Sequence, residues 1–148
     1  MKKFIFRLES VLSLKRSLEQ QVKNEMAKIE SEIRIIKNDI NEVENEFQEK
    51  NKELKSRLKK GENATVIANF SVYFTALKEK RNNLENELVY AEKKREEIRQ
   101  RLLKIVTERK TIDKLREKKY SEYLYELNVE QAKEVDNYLS SRLAGELQ

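Results

Sequence analysis

The side chains here that could do chemistry are carboxylates, amines, guanidinium groups and six tyrosines; among 148 residues there is no histidine and no cysteine. The commonest general base and the thiol nucleophile are therefore missing. With only Gly61 and Gly145 in the chain, there is also no Gly-rich loop to cradle a phosphate. Carboxylates by themselves need a cleft that shifts a pKa and excludes water, and a surface of exposed helices offers none. The expectation is a chain that is not an enzyme and carries no cofactor and no metal. What remains for the charged groups is pairing. Arg81, Arg95 and Arg109 recur every fourteen residues within an apolar column, where a polar side chain fixes partner and register and an unpaired charge is costly.

The elements that must position those arginines are long helices. In the first half Met26, Ile33, Ile40, Phe47 and Leu54 recur every seven residues, interleaved with Val22, Ile29, Ile36 and Val43, as the a and d positions of a coiled coil do. In the second half Phe70, Leu77, Leu84, Ala91, Ile98, Ile105 and Ile112 form one column; Ile67, Phe74, Arg81, Leu88, Arg95, Leu102 and Arg109 form the other. A chain reversal near residue 62 sets Leu54 against Phe70, Phe47 against Leu77, Ile40 against Leu84, Ile33 against Ala91, Met26 against Ile98, Ile36 against Leu88 and Val22 against Leu102. One register thus aligns both ladders, and a meets d as antiparallel packing requires. Asp39, Glu42, Glu44 and Glu46 then bracket Val43 opposite Arg81, while Glu25, Glu30 and Glu32 bracket Ile29 opposite Arg95. Setting the register is the leading role of these arginines, and they disfavour homodimerisation through the same stripe.

The fold class expected is all-α: a long antiparallel two-helix coiled-coil hairpin with a C-terminal helical overhang, a single domain over residues 1–148. Charged residues make up 40% of the chain and proline is absent, the bias of long uninterrupted helices. Lys59 and Lys60 before Gly61 favour a C-terminus, and Asn63 or Thr65 offers an N-cap. Helix 1 is expected over about 4–60, the turn over 61–65 and helix 2 over about 66–143, with Gly145 as its stop. Leu8 then meets Leu115 and Phe4 meets Tyr120, which leaves the chain beyond about Tyr123 unpaired. Leu124, Leu127, Val135, Tyr138 and Leu139 nevertheless continue at helical spacing. That segment is either a frayed tail or a docking helix for another protein. Val11, Leu14, Leu18 and Val22 span eleven residues in place of a heptad, which reads as a stutter.

Charge is uneven. Residues 93–119 hold twelve Lys or Arg and five acids, whereas residues 39–49 hold five acids and no base. A net charge of +5 is mild for a nucleic-acid binder, and no aromatic platform interleaves the lysines, so nucleic acid is not an expected partner and an acidic protein surface fits at least as well. No run of about 18 apolar residues exists to span a membrane. The three-residue apolar stretch Phe4-Ile5-Phe6 is too short for a secretory signal, and a cytoplasmic chain is expected.

The opening Phe4-Ile5-Phe6-Arg7-Leu8-Glu9-Ser10-Val11-Leu12, an F-x-F-x-L-x-x-V-L pattern, resembles the start of the flagellar export protein FliJ family. Glu108-Arg109-Lys110, Leu115-Arg116-Glu117-Lys118-Lys119-Tyr120 and Tyr123 resemble that family's second helix, and the length agrees almost end to end. A general coiled-coil chaperone or a stalk protein of virulence type III secretion is the alternative reading. The resemblance implies a cytoplasmic component of the flagellar type III export apparatus, similar to the central stalk of rotary ATP synthases. It implies binding to the hexameric export ATPase, promotion of its assembly and activity, coupling to the membrane export gate protein, contact with export chaperones, and peripheral membrane association only through partners at the cytoplasmic face of the inner membrane.

Two surfaces are expected to carry those contacts. At the open end the unpaired apolar residues Leu124, Leu127, Val135, Tyr138 and Leu139, with Phe4 and Leu8, would meet the ATPase, and Arg99, Arg101 and Lys114 would steer the approach. At the closed end the resemblance implies a gate surface at Tyr73 and Leu77, with Phe47 or Lys50 across the pair. Leu77 is also a d residue and Tyr73 lies outside the seam. The histidine that the family carries in this helix is absent here, and Lys80 and Leu84 stand in that region.

Overall fold

The computed structural model describes residues 2–146 and consists of two long α-helices packed against each other, α1 (Glu9–Lys60) and α2 (Ala64–Glu146). This is the all-α hairpin that the two ladders imply. The reversal is made by three residues. Arg57, Lys59 and Lys60 lie in the last turn of α1, where cations complement the helix dipole, and the Gly61 amide bonds the Leu58 carbonyl at 3.2 Å. Gly61 adopts φ of 83°, a left-handed conformation that a Cβ disfavours. Asn63 then caps α2, its Oδ1 accepting the amides of Thr65 at 2.8 Å and Val66 at 3.2 Å. Helix 2 accordingly starts at Ala64, ahead of the expected residue 66. It runs through Gly145 to Glu146, because nothing at Gly145 turns the backbone left-handed.

The chain divides into two compact units, Met1–Gln20 with Leu103–Gln148 and Gln21–Leu102. In the second of these the seam is apolar: Val22, Ile29, Ile33, Val43, Leu77, Ala91 and Ile98 are buried, with Ile36, Ile40, Leu84 and Leu88 half-buried between them. Arg81 reaches across to Glu44 at 2.8 Å and along its own helix to Glu85 at 3.1 Å, so one of the bracketing carboxylates does engage it. Glu25, expected near Arg95, pairs instead with Arg101 at 2.9 Å.

In the unit that holds the N-terminal residues the seam is built differently. Leu12 is fully buried and Glu19 is 7% exposed, whereas Leu14 is 57% exposed. The buried stripe therefore runs Leu12, Lys15, Glu19, Val22, an uninterrupted alternation of three and four. The stutter read from Val11, Leu14 and Leu18 does not exist. Charged residues hold the seam there and the neighbouring apolar ones stand outside it. Lys15 bonds Glu108 at 2.6 Å, Arg109 bonds Glu19 and also Asp113 at 2.7 Å, Arg16 meets Asp113 at 3.2 Å, and Arg116 meets Glu9 at 2.9 Å. Such a lattice satisfies each charge by several partners, the condition under which ion pairs in a seam are tolerated.

Residues 2–8 are not helical, which corrects the start expected at about residue 4. The alternation Phe4, Ile5, Phe6 explains it: Phe6 is buried and Phe4 half-buried, while Ile5 is 82% exposed, the two-residue period of extended chain. This arm lies along α2, with Phe4 edge-on to Tyr120 at 5.1 Å and against Tyr123 at 5.5 Å. The Arg116 guanidinium stacks 5.6 Å from the Phe4 ring, and the Tyr123 hydroxyl donates to the Lys2 carbonyl at 2.6 Å.

Candidate functional site

Two surfaces gather the residues singled out in the sequence. In the unit Gln21–Leu102, Phe47 is 45% exposed and its ring stands 5.0 Å from Phe74. Together with Leu54, Ile67, Ser71 and Leu77 these rings line an open groove of about 790 Å³. Leu77 forms its floor, being itself buried in the seam. Tyr73 and Lys50 do not line that groove. They pair with each other, the Lys50 amine lying 5.4 Å from the Tyr73 ring centre, and the Tyr73 hydroxyl donates to the Glu46 carboxylate. Lys50 also bonds Glu53 at 3.3 Å. Of the four residues, Phe47 and Leu77 thus share one surface and Lys50 and Tyr73 another. Phe74, which joins Phe47 to Tyr73 through ring contacts, is named in the sequence only as a seam position, because its place in the apolar column reads as core.

The other surface lies in the unit that holds residues 2–20 and 103–146. Phe4, Leu8 and Leu127, with Phe6, Leu115 and Tyr123, line an open groove between the extended arm and α2. Leu124 is exposed beside it. Farther along, every described residue from Asn128 to Glu146 is exposed, Val135, Tyr138, Leu139 and Leu143 included. Helix continues through this stretch without a neighbour to bury its apolar side chains. Lys114 is exposed in the same unit. Arg99 and Arg101 belong to the other unit, Arg99 bonded to Glu96 at 2.8 and 2.9 Å and Arg101 to Glu25. The meeting of Phe4 with Tyr120 expected from the register is present; what the register does not show is that Tyr123 joins the two rings and that Phe4 sits on an extended arm, for which the two-residue spacing of Phe4 and Phe6 is the signal.

The electrostatics are those of paired surface ions. Hydrogen bonds from Arg99 and then Gln100 hold the Glu96 carboxyl down at about 2, and the same contact raises Arg99. A hydrogen bond from Lys15 lowers Glu108. The bonds that Arg109 donates to Asp113 and then to Glu19 raise its own pKa. Each shift favours the charged form, the opposite of what a poised acid or base needs. Among the described residues no group of three or more acids could hold a metal ion, and no helix is long and apolar enough to cross a membrane.

Searches of curated proteins and of solved structures return no match. A family model described as flagellar FliJ protein, however, matches residues 3–147. It takes in the extended arm, both helices and the unpaired end of α2, and the chain belongs to the flagellar FliJ family.

Proposed function

We propose that this chain, a flagellar export-related protein by family, acts without catalysis of its own as a stalk-like partner of the hexameric export ATPase at the cytoplasmic face of the inner membrane. In that role it promotes assembly and turnover of the ATPase and couples it to the membrane export gate protein, with export chaperones as further partners. Membership of the family supports the setting. The observation that carries the ATPase contact is the exposed end of α2, where Val135, Tyr138 and Leu139 are held on helix and stand exposed, covered by none of the described residues. Exposed apolar side chains on a preformed helix bind a partner groove without the entropy cost of folding first. Phe4, Leu8, Leu124 and Leu127 extend that surface, and Lys114 adds positive charge that speeds approach to an acidic ring mouth. The Phe47, Lys50, Tyr73 and Leu77 region is the proposed gate contact.

The test is ATP turnover by the purified export ATPase with and without the chain. The full chain should raise turnover, and a Val135→Ser, Leu139→Ser variant of unchanged helicity should lose most of the effect. No stimulation by the full chain sinks the proposal. Stimulation unaffected by the double substitution moves the contact away from the end of α2.

A further inference from the structure

We infer that this chain also pairs with a second copy of itself, the terminal turns of α2 in each copy lying on an exposed apolar stripe of the other. The stripe is formed by Val11, Leu14 and Leu18 on α1 with Leu115 on α2. Val11, Leu14 and Leu115 are all exposed and Leu18 is half-exposed. They take no part in the seam, whose positions at this level are held by Leu12, Lys15 and Glu19. Glu108 flanks the seam by its bond to Lys15, and Leu115 follows it by one heptad on the same flank. Leu115 shares a groove with Leu8, three residues before Val11, which sets Leu115 beside the start of the stripe on α1. Four apolar side chains standing outside a seam that is itself charged are unexpected for a helix pair that ends its contacts with itself.

Charge singles out the occupant. On the exposed end of α2, Ala132, Val135, Leu139 and Leu143 recur at three or four residues, a stripe of roughly 17 Å at 1.5 Å per residue. Val11 to Leu18 on α1 spans about 10 Å by the same measure, with Leu115 beside it on α2. Residues 124–146 carry five acids and two bases, whereas residues 2–20 and 103–123 together carry twelve bases and six acids. An acidic apolar helix therefore faces a basic apolar surface, and both belong to one compact unit of one chain. Two mutually complementary patches on one molecule close as a two-fold dimer when each copy's helix end reaches the other's stripe, so that both contacts form at once. With the axis beside Leu127, Leu115 lies opposite Leu139 of the second copy and Lys118 lies opposite Asp136 of the second copy. Lys118 and Asp136 are exposed and make no ion pair among the described residues.

The dimer occupies the same α2 residues that the proposed ATPase contact uses. Resting on that reading, the paired form is a reserve from which the ATPase must draw single chains.

Sedimentation velocity of the full chain over a wide concentration range tests this without any other protein. A monomer–dimer equilibrium is expected. Leu14→Glu, at an exposed position, should leave the circular dichroism spectrum unchanged and raise the dissociation constant about tenfold or more. It should leave stimulation of the ATPase at saturating chain intact, which separates this proposal from the previous one. Because the chain has no native cysteine, a mixture of Leu115→Cys and Leu139→Cys chains should form a disulfide-linked pair that neither chain forms as readily alone. A chain that stays monomeric throughout overturns the inference. So does a dimer that Leu14→Glu does not weaken, or a mixture that cross-links no better than its components.

Discussion

Lys15, Glu19 and Arg109 take seam positions that apolar residues fill elsewhere, and this makes their stability contribution depend on charge. The Lys15 hydrogen bond lowers the Glu108 carboxyl from its ordinary 4.5. A depressed folded value means that the contribution is fully present above the ordinary value and is lost as pH falls through the lowered one. Glu108→Gln should therefore lower the melting temperature at neutral pH, and its difference from the parent chain should shrink toward zero in acid; a constant difference across that range refutes the linkage. Arg109→Met should lower the urea midpoint by stripping a guanidinium from buried Glu19. Glu19→Leu combined with Arg109→Leu should restore it or raise it, since a well-packed apolar pair often equals a charged one. At the other surface Leu77→Ala should cost about 2–4 kcal/mol in urea denaturation, as buried leucines do, and half-exposed Phe47→Ala clearly less. Residue identity hides this contrast. Charged side chains at Lys15 and Glu19 disguised the register, and the apolar Val11, Leu14 and Leu18 beside them imitated a seam with a stutter. Tyr73 and Lys50 are named together in the sequence, but the bond from Tyr73 to Glu46 is not legible there, because that partner lies across the pair and no spacing along one helix announces it.

At the scale of elements, α1 and α2 were legible because two columns of apolar residues share one register and because Gly61 and Asn63 punctuate them. Their ends were less so. The chain entering α1 carries no break in composition between Phe4 and Glu9, and only the two-residue alternation of exposure marks the arm as extended. The two glycines offer a matched test. Gly61→Ala should destabilise the hairpin by about 1–2 kcal/mol, the usual cost of holding a Cβ in a left-handed conformation, even though no neighbour lies within 4 Å. Gly145→Ala, in helix and equally uncrowded, should leave the melt unchanged and add slightly to helicity. Asn63→Ala should cost about 1 kcal/mol through its two capping bonds. Thermal melts followed by far-ultraviolet circular dichroism read all three as two-state transitions; equal effects at the two glycines would place Gly61 in ordinary backbone.

Across the whole molecule, burial is shared unequally between the two units. Among the described residues, seven buried apolar side chains lie in Gln21–Leu102, against Phe6 and Leu12 in the other unit. Local opening free energy follows buried contact, so amide exchange should be slowest around Ile29 to Val43 and Leu77 to Ile98, and faster around Leu12 and Ile105; uniform protection contradicts this. The hairpin register is testable in the same molecule. Cysteines at Ile36 and Leu88 should cross-link within one chain under dilute oxidising conditions. The aromatic clasp of Phe4 on Tyr120 and Tyr123 has one further consequence, for the order in which the chain can be assembled. A turn of three residues closes a short loop at small entropic cost, so pairing starts beside Gly61 and zips outward. During synthesis the apolar face of α1 must wait for α2 to emerge, and Phe4 finds its ring partners only after some 115 more residues have been added. The arm is thus the last contact to close, and until it does Phe4 and Phe6 stay bare on the nascent chain.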